Sequence, residues 1–486
     1  MYSYLLLLAV LLPALAGSSM GLLKASHSRN ILFVEVMGLT LVCAVGCAVL
    51  NNGMAGAVDM GLFAFRLGAD RISHLFAVLF AALFLLAGVF SLEYNLHDRN
   101  QGRFNAFFLL TLAAMMGLSY SQNLFTFYFF YECMTLLSMP LVFHEGTKES
   151  MDAALKYLGY SLFGAALVLF GFFYAGQFCE STNFMEGGSF NAAGQAHIPM
   201  ALAAAFCLML GFACKAGMVP LHQWLPVAHP VAPAPASAVL SGCITKAGVL
   251  GILRCAYFVF GADVLRGTWV QSALTVLALI TVFTGSMLAY RERLLKRRLA
   301  WSTVSQVSYV LFGLFQFTPV GFAGALLQAV FHAVSKTALF LFAGAVIHQS
   351  RKTRVDELTG LGKKMPVVYG CFAFASLSLV GIPPFAGFVS KWNLAVGGLS
   401  ALGTLGVVGA AVLLISAILT AGYLFPLIIL GCTEDGSFDR SLEPGWKMLV
   451  PLLVLALALL ALGICTAPLG SVVRRAAESL FQEVIS

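Results

Sequence analysis

Charge is what this sequence has least of. Only 10% of its 486 residues are Asp, Glu, Lys or Arg, against about 25% in soluble domains. With 60% hydrophobic residues and a mean hydropathy of +0.91, that scarcity excludes a soluble enzyme of two or three domains and leaves a polytopic membrane protein. The formal net charge of +7 is no nucleic-acid signal, because the basic residues lie in short stretches between apolar runs. The eleven cysteines are scattered, mostly inside apolar runs (Cys43, Cys47, Cys207, Cys371), and form no CxxC or other metal-ligand spacing. Buried cysteine behaves as a small apolar residue, so no cofactor is expected in this chain: no iron–sulfur cluster, no haem, no metal. The opening MYSYLLLLAVLLPALAG lacks the basic n-region of a signal peptide, and it reads as a first membrane span.

Long apolar runs are what the sequence has in place of charge. A span takes about 20 apolar residues, and fourteen such runs are legible: 3–23, 31–50, 73–92, 104–121, 122–143, 155–177, 198–220, 235–261, 268–290, 299–316, 319–348, 366–392, 403–431 and 447–470. The expected fold is therefore all-α, with about 14 transmembrane helices. A Gly-rich connector covers 51–70 and a polar one 178–197. Eighteen of the 28 lysines and arginines fall in or beside the loops after odd-numbered spans, led by the clusters at 291–298 and 351–364. Six fall on the other side, and four lie within spans. The excess of basic residues marks the cytoplasmic side, so the odd loops are expected in the cytoplasm and both termini outside. As topology anchors those basic clusters need no further function.

Two of the spans are interrupted. The first breaks after Lys215, in a segment holding Pro220, Pro226, Pro230, Pro233 and Pro235, and the next span carries Lys246. The second breaks at Gly381-Ile382-Pro383-Pro384, seven residues before Lys391. Irregular backbone at membrane depth is tolerated only inside protein or against a wet cavity, and a lysine at the bilayer centre costs about 3 kcal/mol or more. Both features mark an ion pathway. Paired broken helices in corresponding positions are also the sequence sign of an internal inverted repeat, although the order of lysine and break is reversed between the two.

Few ionisable residues lie inside spans. Glu132, in FTFYFFYECMTLLSMPLVF, has no charged neighbour within ten positions; such a carboxylate must be protonated, paired or hydrated. His332 and Lys336 are four apart and share a helix face. Lys246 sits among small residues that leave room for water. Each has a plainer alternative: a structural counter-charge for Glu132, snorkelling for Lys246, an aromatic-belt lysine beside Trp392 for Lys391. His222, His229 and His348 are secondary candidates that otherwise cap freed backbone or fill the core. Span ten offers Ser302, Thr303, Ser305, Gln306 and Ser308, either for a water chain or for bonds between helices. Lys391 has no evident acidic partner. Glu35, Asp59, Asp70 and His74 fall near span ends and read as interfacial.

The words Val219-Pro220-Leu221-His222, Trp224-Leu225-Pro226, Ala228-His229-Pro230, Ala232-Pro233, Ser237-Ala238, Ser241-Gly242 and Lys246 resemble the antiporter-like membrane subunits of respiratory complex I, of Mrp-type Na+/H+ antiporters and of energy-converting nickel–iron hydrogenases of the hydrogenase-4 type. The resemblance spans roughly 60–430. It implies two inverted five-helix repeats with broken helices 7 and 12, hence helices 1–3 over 1–103, a first repeat over 104–261, a second over 262–431, and helix 14 with a tail over 432–486. It implies a proton pathway in which Glu132 pairs with Lys215, Lys246 and the His332–Lys336 pair relay, and Lys391 forms the output. Pairing keeps carboxylate and ammonium charged, so a proton arriving at one changes the affinity of the other, a use arginine would not serve because it stays protonated. The function so implied is a proton-translocating subunit of a redox-driven complex in the cell inner membrane, without catalysis of its own, beside other membrane subunits and redox subunits of hydrogenase-like or iron–sulfur type. The alternative is a subunit of an Mrp-type Na+/H+ antiporter. A haem-carrying membrane enzyme would need histidines on facing helices, whereas His332 and His348 are sixteen apart on one. A pure scaffold would not need four intramembrane lysines against one clear carboxylate. Sodium would call for several oxygen ligands, and no compact carboxylate cluster is present.

Overall fold

In hydrocarbon a chain satisfies its backbone within itself, and for runs of this length the helix is how. The computed structural model describes residues 2–20, 23, 27–50, 54–60, 63–433 and 439–481. In chain order the main elements are α1 (Tyr2–Met20), α2 (His27–Leu50), β1 (Met54–Met60), β2 (Phe63–Gly68), α3 (Arg71–Tyr94), α4 (Gln101–Ser119), α5 (Leu124–Val142), α6 (Lys148–Phe178), α7 (Ile198–Ala216), α8 (Trp224–Val231), α9 (Ala234–Val259), α10 (Trp269–Arg291), α11 (Leu295–Leu314), α12 (Pro319–Ser350), α13 (Pro366–Val380), α14 (Gly387–Ala401), α15 (Thr404–Cys432), α16 (Trp446–Ile464) and α17 (Ala467–Phe481). Twelve of these are long and apolar enough to cross a membrane. The expected span at 299–316 corresponds to α11, and that at 366–392 to the shorter α13 with the start of α14.

Both breaks obey one rule. α7 ends at Ala216 and is followed by Gly217 at φ 79° and Pro220; α13 ends at Val380 and is followed by Gly381 at φ 93° and Pro383-Pro384. A left-handed residue terminates the helix and favours glycine, and proline three positions on cannot resume it. The same Gly-x-x-Pro word therefore stops both helices. α9 stays helical but carries two π-helical turns, Leu240–Ile244 and Cys255–Val259, on either side of Lys246.

The chain divides into two compact units, one of residues Met1–Gly88, Asn95–Lys215 and Ala247–Val270, the other of Val89–Tyr94, Ala216–Lys246 and Gln271–Ser486. In the first, α1 packs on α2 and α4, α4 on α5, and α5 on α6. The Gly-rich connector holds the one β-sheet among the described residues: β1 and β2 pair antiparallel, with Val58 opposite Phe65. It is tied to the α4–α5 turn, because Arg66 N–H donates to Thr126 Oγ1 at 2.9 Å and Asn123 Nδ2 to Ala64 O at 2.6 Å. Asn123 also caps α5, accepting from Thr126 N–H at 2.8 Å. In the second unit α12 is the axis: it is almost wholly buried and packs against α11, α13, α14, α16 and α17. Thr318 accepts from Gly321 N–H at 3.2 Å to cap its start, with Pro319 at the first position, where proline loses no needed donor.

Asp70, near a span end, and Arg254, within the 235–261 span, form an ion pair. Arg254 is 1% exposed; its guanidinium pairs with Asp70, donates to Ser73 Oγ at 2.9 Å, and lies 4.6 Å from the ring centre of Phe258. Asp70 in turn accepts from Ser73 N–H at 2.8 Å. Burial pushes the Asp70 carboxyl up, but the neighbouring guanidinium more than offsets this and holds it below the ordinary carboxylate value. Removing one partner of a buried ion pair costs about 3–5 kcal/mol. We expect Asp70→Asn to lower the unfolding temperature of the detergent-solubilised protein sharply, and Asp70→Leu/Arg254→Leu to recover part of the loss. Because the folded-state value is depressed, the contribution is complete above the unfolded value of about 3.9 and fades as pH falls through the folded one. The gap between wild type and Asp70→Asn should therefore be flat from pH 8 to 5 and close only in stronger acid.

Candidate functional site

Lys215 lies in the last turn of α7 and is fully buried. Its Nζ donates to Tyr157 Oη and Ser161 Oγ, each at 2.8 Å, and sits 4.1 Å from the Tyr157 ring centre. Tyr157 Oη continues to Ser138 Oγ at 2.7 Å. Tyr157 and Ser161 are one turn apart on α6, so both hydroxyls face the same point. Glu132 on α5 is half-buried, and its Oε1 has no hydrogen-bond partner in the protein. Lys215 is the charged group whose field acts on it. The two are thus electrostatic neighbours, with the ammonium's close contacts made to hydroxyls. Tyr157, Ser161 and Ser138 were not singled out in the sequence, since hydroxyls on an apolar helix carry no signal until their helix is placed.

The second cluster joins Lys246, His332 and Lys336, all buried. Lys246 Nζ is 2.7 Å from His332 Nδ1, 2.8 Å from Ser241 O and 3.4 Å from Thr245 Oγ1. Ser241 O is five residues back, in the π turn, where the altered pitch leaves a carbonyl for a side chain. Ser241 Oγ bonds Thr303 Oγ1 at 2.7 Å. One turn along α12 from His332, Lys336 Nζ donates to Leu299 O at 3.0 Å. His332 Nε2 has no hydrogen-bond partner in the protein. Among the described residues none of the three is hydrogen-bonded to a carboxylate. A proton on one repels a proton on the next in this low-dielectric setting.

Lys391 follows the second break yet reaches back to the helix before it. Its Nζ donates to Leu379 O at 2.5 Å and Val380 O at 3.0 Å, the last carbonyls of α13, and lies 5.0 Å from the Tyr309 ring centre. A cation at a helix C-terminus is favourably placed. This bears on the reversed order of lysine and break: Lys215 lies in the last turn of the half-helix before its break, and the Lys391 ammonium reaches back to the last carbonyls of the half-helix before its own. Lys391 is half-buried while the adjacent Trp392 is 61% exposed, so the aromatic-belt position belongs to the tryptophan. Beside Lys391 runs a ladder: Ser390 Oγ to Gln328 Oε1 at 2.6 Å, Gln328 Nε2 to Gln306 Oε1 at 3.2 Å, Gln306 Nε2 to Thr420 Oγ1 at 3.4 Å, Tyr423 Oη to Thr420 Oγ1 at 3.3 Å, and Ser302 Oγ to Tyr423 Oη at 2.6 Å. The polar face of span ten makes bonds between helices, with Ser305 also meeting Ser286 at 2.7 Å.

The secondary histidines separate. His229 is fully buried, stacked on Phe340 at 4.5 Å, with both ring nitrogens lacking a hydrogen-bond partner. His222 is half-buried against Trp301 at 5.6 Å, and His348 lies 5.6 Å from Tyr94. Two cations read as topology anchors do more than that. Lys296 donates to Ala232 O at 2.7 Å, at the end of α8 where Pro233 interrupts the chain, and Arg298 donates to Tyr423 O at 3.0 Å. Among the described residues no group of three or more His, Cys, Asp or Glu is placed to hold a metal.

Broken helices, buried lysines and a helical membrane scaffold together match one known family. Residues 121–420 match the family described as NADH:quinone oxidoreductase/Mrp antiporter, TM. The chain belongs to the NADH:quinone oxidoreductase/Mrp antiporter family. It is 35% identical over 387 residues to NADH-quinone oxidoreductase subunit N of Desulforudis audaxviator, covering 75% of each chain. It is 32% identical over 341 residues to hydrogenase-4 component B of Escherichia coli, covering 66% of this chain and 49% of that one. A subunit in the structure of the Mrp complex from a Dietzia species superposes with a TM-score of 0.86 at 26% identity, covering 99% of this chain and 97% of the other. The protein is thus a multi-pass, antiporter-like membrane subunit of the NADH:quinone oxidoreductase/Mrp antiporter family, whose relatives are parts of multi-subunit complexes.

Tyr157 is the hydroxyl that joins Lys215 to Ser138. A hydrogen bond to a charged group is worth about 1.5–3 kcal/mol. Tyr157→Phe should leave the protein folded and reduce ion translocation about tenfold, measured as the initial rate of proton movement in reconstituted vesicles. Phe130→Tyr, which adds a hydroxyl outside this chain of contacts, should not compensate.

Proposed function

We propose that the chain translocates protons within a redox-driven membrane complex of the complex I or energy-converting hydrogenase type, with hydrogenase-like or iron–sulfur partner subunits performing the electron chemistry. The observation that carries this reading is the Lys246–His332 contact of 2.7 Å with Lys336 one turn away, three buried bases held by neutral acceptors. Lysines arranged so can release a proton without leaving a carboxylate unpaired. In this reading Glu132 and Lys215 gate the pathway, Lys246, His332 and Lys336 relay, and Lys391 delivers. His222, His229 and His348 are secondary members. The unpartnered Glu132 Oε1 and His332 Nε2 are atoms that water has to serve, and a water chain is what proton relay requires.

The relay fits two inverted repeats over 104–261 and 262–431, and the shared Gly-x-x-Pro word at the two breaks supports that division. The distribution of lysine and arginine supports cytoplasmic odd-numbered loops and both termini outside. No cofactor of this chain's own enters the scheme. The second reading is an Mrp-type Na+/H+ antiporter subunit, favoured by the nearly full-length superposition on the Mrp complex.

Proton uptake into vesicles holding the purified complex separates these readings, with redox turnover recorded in parallel. Lys215→Ala and Glu132→Gln should abolish uptake while the complex still assembles, and uptake should follow the electron donor. Uptake driven by a sodium gradient without any donor would establish the Mrp reading. Unchanged uptake in both variants would remove the gate assignment and leave these residues structural.

A further inference from the structure

Helix α17 is amphipathic: it packs against the span α12 and carries charge on its other face. Val473, Ala476, Ala477 and Leu480 are buried, while Arg474 and Arg475 are exposed. Where α17 leaves the end of α16, a cavity of about 640 Å³ lies between it, the first turns of α12 and the start of α14. Its walls are apolar, made by Val320, Ala323 and Leu327 along one face of α12, with Val389 and Val473. Its remaining lining includes Arg474, Arg475 and Glu478 together with Ser471 and Thr466. A cavity of this size is within the range of about 300–1,000 Å³ that small-molecule sites occupy.

We propose that this cavity binds one anionic glycerophospholipid, with an acyl chain along the α12 wall and the phosphate on Arg474 and Arg475. The location selects a lipid, because the first turn of a span and an amphipathic helix following another span both belong at a membrane face. The apolar wall excludes free phosphate as the main occupant. Guanidinium forks match phosphate oxygens, and among the described lining residues Arg474 and Arg475 outnumber the single carboxylate, Glu478. That balance suits a headgroup of net negative charge and repels the trimethylammonium of phosphatidylcholine. Basic pockets between transmembrane helices recognise anionic headgroups on the same principle.

The test is native mass spectrometry of the full-length chain purified in detergent, with palmitoyl-oleoyl-phosphatidylglycerol or palmitoyl-oleoyl-phosphatidylcholine added. One phosphatidylglycerol should bind per chain, with occupancy about tenfold lower in Arg474→Gln/Arg475→Gln and retained in Arg474→Lys/Arg475→Lys. Ala323→Phe, which fills the slot and leaves both arginines in place, should lose it as well. Phosphatidylcholine bound equally well, displacement by millimolar inorganic phosphate, or phosphatidylglycerol retained by Ala323→Phe would each overturn the proposal. So would an Ala323→Phe chain that keeps its lipid but no longer assembles, since the slot would then hold a helix of an adjoining subunit. If the double Gln variant fails to fold, the Lys and Phe variants decide alone: loss in the first or retention in the second refutes the site.

Discussion

An ammonium group inside a membrane has to be given oxygen or nitrogen acceptors, and much of this structure follows from that requirement. A buried amine without them costs several kcal/mol. Here four intramembrane lysines are served by Tyr157 and Ser161, by Ser241 O and His332, by Leu299 O, and by Leu379 O and Val380 O. A regular helix has no spare carbonyls except in its last turn. Interrupting a helix, or inserting a π turn, creates spare ones at membrane depth. The Gly-x-x-Pro stop at 381–384 exposes the acceptors for Lys391, and the π turn at 240–244 exposes that for Lys246. The irregular backbone and the lysines are therefore two halves of one device.

The choice of neutral acceptors distinguishes these lysines from Arg254, which is held by a carboxylate. Arg254 is fixed by Asp70 and Ser73 between two phenyl rings; arginine does not deprotonate, so that pair holds its charge and locks the end of α9 to the start of α3. A lysine on hydroxyls and carbonyls is stabilised when charged but leaves no orphaned carboxylate when it gives its proton up. Glu132 is the exception among the acids, half-buried and facing the field of Lys215 without a hydrogen bond to it. Both kinds of cation are costly to bury, and in the proposed relay the partner decides whether the charge stays fixed or moves.

Which parts of this were legible in the sequence follows from how each feature is encoded. Helix content, breaks and the candidate lysines are local: a run of apolar residues, a Gly-x-x-Pro word, a charge where none belongs. Lys246 near His332 and the shared face of His332 and Lys336 follow from spacing plus a family resemblance. What was not legible is what depends on a partner far along the chain. Tyr157 lies 58 residues from Lys215, Lys296 lies 64 from Ala232, and Asp70 lies 184 from Arg254. The hairpin at 54–68 was hidden by its glycines, although Phe63, Phe65 and Leu67 alternate with Ala64, Arg66 and Gly68 as one strand does.

The ladder from Ser390 to Ser302 sets a limit on how protons can move in the second unit. It is continuous and buried, and it passes through two amides, Gln328 and Gln306. A hydroxyl or a water accepts a proton on one side and gives one up on the other; an amide has its donor and acceptor on different atoms and would have to pass through an imidic acid to do the same. The ladder therefore fixes geometry. It joins α11, α12, α14 and α15 by side-chain hydrogen bonds, and so holds the start of α14, and Lys391 with it, against the end of α13. In the proposed relay, proton movement falls to groups that exchange protons readily, the lysines and the histidines.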